Sequence, residues 1–203
     1  MIARDWILNK ETLNGIEIAE NCNPKRQYTH SRELADNLPY AIMILLGAMI
    51  LYLSITNIIF RYIASGIYAA WGILGTVWII IFLCPYCRFW NTRACPCGYG
   101  QIAGKLVQKK DYNLFNVKFK KNIPVIIPLW FIPVFAVLPK LIYGFSWTLL
   151  LLTAVFIFVG FIILPIFSSR HGCADCEQKD SCPWMERTAS SRAWKKILTN
   201  RLF

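Results

Sequence analysis

The chain has 203 residues, 56% of them apolar, and carries a formal net charge of +11. A basic excess can signal nucleic acid, but here Lys and Arg are confined to blocks between long charge-free runs, which speaks against a nucleic-acid partner and against one soluble core. Residues 37–60, 62–87, 122–139 and 141–169 contain no Asp, Glu, Lys or Arg, and a helix crossing a bilayer needs about 20 mostly apolar residues.

The expected architecture is therefore an all-α integral membrane protein with four transmembrane helices, cytoplasmic termini and two Cys-rich cytoplasmic segments. Residues 1–38 form a cytoplasmic or interfacial N-terminal segment. Asp5 and Lys10 interrupt any signal-peptide core. Trp6, Ile7, Leu8, Ile16 and Ile18 suit an interface, and the lone Cys22 reads as a spare thiol. Residues 39–83 form the first transmembrane hairpin, with Pro39 at a helix start, spans over about Pro39–Phe60 and Ile63–Leu83, and Arg61-Tyr62 as the outer turn. Gly66, Gly72 and Gly75 offer small surfaces for close helix approach.

Residues 84–122 form a Cys-rich basic loop. Gly98 to Lys105 has the wrong spacing for a phosphate-binding loop and reads as a turn entering an amphipathic helix. Lys109 to Lys121 mixes basic residues with Tyr112, Phe115 and Phe119, a composition suited to a membrane surface and anionic lipid. Residues 123–167 form the second hairpin. Its first span holds Pro124, Pro128, Pro133 and Pro139, which a bundle tolerates only if neighbouring helices satisfy the backbone groups that proline frees. Residues 168–203 form a Cys-rich tail with an amphipathic helix marked by Trp194, Ile197, Leu198 and Leu202.

The N-terminal segment, central loop and tail together hold 20 of the 22 basic residues. Four crossings put all three on one side, and the positive-inside rule makes that side cytoplasmic. The expected location is the cytoplasmic (inner or plasma) membrane. The charge-free runs also lack His, whereas ion pumps and proton relays place ionisable groups at membrane depth. His30 and His171 flank the first and last runs. The chemistry is expected at the cytoplasmic surface.

That surface receives the cysteines. The loop reads C-x2-C-x7-C-x-C over Cys84, Cys87, Cys95 and Cys97; the tail reads H-x-C-x2-C-x5-C-P over His171, Cys173, Cys176 and Cys182. Cysteines two apart put two sulfurs on one side of a turn, where they can share a metal. These seven cysteines and His171 are the candidate ligands of one or two sites. The cytoplasmic face disfavours disulfides. Cys84, Cys95 and Cys182 each precede proline, which is similar to cluster-ligating cysteines of bacterial ferredoxins and favours an iron–sulfur cluster over zinc, the alternative. The tail resembles part of the auxiliary-cluster motif of SPASM-type radical enzymes, with Glu186 where the fourth cysteine would stand. The tetrapeptide Cys84-Pro85-Tyr86-Cys87 resembles the glutaredoxin active site, and the four-span plan resembles quinone-linked thiol oxidases. Those likenesses imply thiol–disulfide exchange through Cys84 and Cys87, with Arg88 and Arg93 near enough to lower a thiol pKa.

The expected function is electron relay by a membrane metal protein. Its partners would be a quinone or larger membrane complex, an acidic soluble redox protein or partner subunit, and membrane lipids. A zinc-stapled, non-enzymatic assembly factor is the second expectation.

Overall fold

The computed structural model describes residues 27–168. The expectations for Cys22, His171, Cys173, Cys176, Cys182 and the amphipathic tail helix lie outside the described residues. Within them the chain is helical, with no strand. Four segments are long and apolar enough to cross a membrane: His30–Ser54, Ile58–Tyr86, Tyr112–Tyr143 and Trp147–Phe167.

Helix α1 (His30–Ser54) starts nine residues before Pro39, which is interior. Glu33 in its first turn suits the positive end of the helix dipole. The turn to α2 (Ile58–Phe82) falls at residues 55–57, not at Arg61-Tyr62. Asn57 decides this: its side chain accepts from the backbone N–H of Ile59 at 3.0 Å and Phe60 at 3.3 Å, capping α2. Arg61 is thus helical. Its Nε donates to the Ile55 carbonyl at 3.1 Å, and its guanidinium lies 4.9 Å from the Tyr52 ring centroid.

After the cysteine loop and its helix α3 (Tyr99–Leu106), the third span is composite. It joins a 3-10 turn (Tyr112–Leu114), α4 (Phe115–Asn122), a second 3-10 turn (Ile123–Val125) and α5 (Pro128–Tyr143). Pro124 and Pro128 bring the tightening, and the backbone bonds here run three residues back: Ile126 to Ile123 at 3.0 Å, Leu129 to Ile126 at 3.1 Å. Lys140 sits in the last turn of α5, and the chain turns at residues 144–146. The fourth span is α6 (Trp147–Ile157), a π-helical stretch (Phe158–Ile163) and α7 (Leu164–Phe167).

α1 is the hub, packed against α2, α5, α6 and the π stretch. Met43, Ile50, Leu129, Val137 and Phe156 form a fully buried core. Gly47 lets the Tyr68 phenol lie against α1, where an added Cβ would collide with the ring. Gly72 and Gly75 meet Ile44 and Ile126 closely, as the small-surface reading expects. Gly66 does not: nothing lies within 4 Å of the position of its missing Cβ. Leu45, Ile59, Ile67, Ile73, Leu74, Phe135 and Leu151 point outward. An apolar exterior of this extent suits hydrocarbon as solvent and would be a liability in water.

The proline problem is solved between helices. Pro133 has no N–H for the Leu129 carbonyl four residues back; the buried Tyr68 hydroxyl donates to that carbonyl at 2.8 Å instead. Trp71 Nε1 donates to the Val125 carbonyl at 3.1 Å, beside the 3-10 break. In the π register, where Leu164 N–H reaches Val159, the Gly160 carbonyl would need the N–H of residue 165, which is proline. Trp130 Nε1 donates to Gly160 at 3.0 Å.

Candidate metal centre in the cysteine loop

The loop caps the end of the bundle formed by the start of α1 and the end of α2. Just past α2, Cys84–Tyr86 form a 3-10 turn, with Cys87 N–H closing on the Cys84 carbonyl at 3.0 Å. Glutaredoxin-like tetrapeptides open an α-helix; this one ends a membrane-length helix, and Cys84 is buried against Ile80 and Ala103. Trp90, Tyr99 and Val107 pack around that small core. Trp90 Nε1 donates to the Val107 carbonyl at 3.1 Å, and Lys110 N–H to the Pro85 carbonyl at 2.9 Å. These bonds fold α3 and the following basic segment back over the first cysteine pair.

The second pair sits in a tight turn. Gly98 adopts a left-handed conformation (φ 74°), and its N–H reaches the Cys95 carbonyl at 3.1 Å. A side chain at Gly100 would collide with the Phe89 carbonyl and approach Cys95 Cβ to 3.1 Å, so glycine permits the backbone at Phe89 and at Gly100 to touch. Asn91, also left-handed at φ 56°, donates its N–H to the Gly100 carbonyl at 2.9 Å.

The turn sets Cys95, half-buried, beside the N-terminus of α3 and the backbone N–H groups of Cys97, Gly98, Tyr99 and Gly100. Burial raises the Cys95 pKa from its ordinary range, and the four N–H groups partly offset the rise by favouring the thiolate. Cys95, Cys87 and Cys97 are all within electrostatic reach of Cys84. None of the four is joined in a disulfide. Among the described residues, no three His, Cys, Asp or Glu side chains already enclose a single metal position.

Helix α1 holds the second pair in place. Asn37 Nδ2 donates to the Cys97 carbonyl at 3.0 Å, and the Tyr99 hydroxyl donates to Asn37 Oδ1 at 2.7 Å. Burial, then the neighbouring Cys97, pushes the Tyr99 phenol up, so it remains a donor. Glu33 accepts from Gln101 Nε2 at 3.4 Å and lies 3.0 Å from His30 Nδ1. His30 is thus engaged by Glu33 at the bundle end. Sequence reasoning missed Asn37, Tyr99 and Glu33. Tyr99 is some sixty residues from the other two in the chain, and only the i, i+4 spacing of Glu33 and Asn37 hinted at a shared face in the polar first turns of α1.

No family model, no curated protein and no solved structure matches the chain.

Proposed function

We propose that this is a membrane-embedded redox protein whose loop holds an iron–sulfur centre through Cys84, Cys87, Cys95 and Cys97. In this reading Cys173, Cys176, Cys182 and His171 supply further ligands from the tail. The centre relays electrons between a soluble partner or larger complex and a membrane quinone. The loop end faces the cytoplasm on the charge pattern, with both termini on that side.

One observation carries the proposal: Cys87, Cys95 and Cys97 all lie within electrostatic reach of the buried Cys84, and backbone N–H groups beside the half-buried Cys95 favour its thiolate. N–H donors aimed at sulfur reward an anionic sulfur, while the apolar surroundings penalise an uncompensated thiolate. A bound cation reconciles the two, and such N–H···S contacts are among the factors that set cluster potentials. Metal binding and the final closure of the loop would then be one event, as in other sites whose ligands are brought together by the metal. Burial of Cys84 also weighs against thiol exchange, which needs an accessible thiolate.

The experiment is elemental analysis and electron paramagnetic resonance on the full chain, purified without oxygen. Iron with acid-labile sulfide, and a signal on reduction that Cys95→Ser abolishes, is the expected result. Stoichiometric zinc with no redox response replaces the reading with a zinc staple. Metal-free protein with paired cysteines ends both.

A further inference from the structure

We infer that the junction of the second and third spans is a binding site for anionic phospholipid headgroups, built on Tyr86 and Tyr112 with Lys110, Lys118 and Arg88. The site does not depend on the metal reading. Tyr86 closes the second apolar segment, and Tyr112 opens the third on the basic side of its charge-free run, so both rings stand at the charged end of the bundle. Aromatic side chains favour the membrane–water interface. Lys110 Nζ lies 5.5 Å and Lys118 Nζ 5.3 Å from the centroid of the same Tyr86 ring. The Arg88 guanidinium lies 4.9 Å from the Tyr112 ring. Backbone bonding of Lys110 to Pro85 ties this arrangement to the end of α2.

The field is one-sided. Residues 84–121 hold eight basic side chains and one acid, Asp111. That carboxylate is turned to its own backbone, accepting from Asn113 N–H at 2.9 Å. Lys120 and Lys121 add exposed charge one turn on. Both ammonium groups stand beside the same ring, and an anion at this end of the bundle is attracted by both. Lipid phosphate is the anion present at that depth, and each basic residue near an anionic surface strengthens attraction about fivefold.

The test uses the full chain in bilayers of phosphatidylcholine alone or mixed with phosphatidylglycerol, with spin-labelled lipids reporting relative association. The wild type is expected to prefer phosphatidylglycerol, with a preference that falls as salt rises. Lys110→Gln with Lys118→Gln should lower the preference by up to about thirtyfold at low salt. Lys110→Arg with Lys118→Arg should keep it. Lys140→Gln, at the far end of the third span, should leave it unchanged. No preference in the wild type, a preference indifferent to salt, or an equal loss in Lys140→Gln overturns the inference. So does capture of soluble polyglutamate without any lipid preference, which would assign the patch to an acidic protein.

Discussion

Tyr68→Phe removes one oxygen and keeps the ring that fills the space over Gly47. The loss falls on the Leu129 carbonyl, which Pro133 deprives of its helical donor and which Tyr68 serves at 2.8 Å inside the core. An orphaned buried acceptor costs about 1–3 kcal/mol in water-soluble proteins. Hydrogen bonds between membrane helices average about 0.6 kcal/mol and reach about 1.7. The acceptor here has no alternative donor four residues on, so the upper part of the membrane range applies, about 1–2 kcal/mol. A double-mutant cycle isolates the cause. Pro133→Ala restores an N–H for Leu129, so in that background Tyr68→Phe should cost clearly less, with a coupling of about 1 kcal/mol. The assay is reversible unfolding in mixed micelles by added dodecyl sulfate, followed by circular dichroism. An equal cost of Tyr68→Phe with and without Pro133 would refute the reasoning.

Three further outcomes test other parts of the structure. Gly47→Ala should destabilise the bundle by about 1–3 kcal/mol in the same unfolding assay, because its Cβ would meet the Tyr68 phenol. Gly66→Ala, which meets nothing, should be neutral or stabilising by up to about 1 kcal/mol through helix propensity. In metal-free protein, burial holds Cys95 more protonated than an exposed thiol at the same pH. Its alkylation should therefore lag and accelerate only above the ordinary thiol range, read by mass spectrometry after timed labelling. Early labelling of Cys95 at neutral pH would contradict its placement.

The spans were legible because charge-free runs of membrane length leave few other readings. Their ends were not. Arg61 looks like a turn residue because it is charged, yet it lies in a helix. Arg61 manages this by folding its guanidinium back to Ile55 and Tyr52, as a long basic side chain near a membrane interface can. Pro39 looked like a helix start and is interior, since the polar turn before it is helical too. In the loop, the cysteine spacing marked which thiols belong together. It carried no sign that Asn37 and Tyr99 would clamp the second pair, because that contact depends on how α3 packs across α1 and α2.

The aromatic donors that serve carbonyls of the third and fourth spans have one more property: each precedes its acceptor in the chain. Tyr68 and Trp71 belong to the second span and serve Leu129 and Val125 in the third; Trp130 belongs to the third and serves Gly160 in the fourth. Synthesis proceeds from the N-terminus. A proline-broken span therefore enters the bilayer with its missing partners already waiting on the helix made before it. The order of the helices in the gene is then also an order of assembly, and exchanging the two hairpins would leave the same contacts available but oblige the third span to wait in lipid with its carbonyls bare.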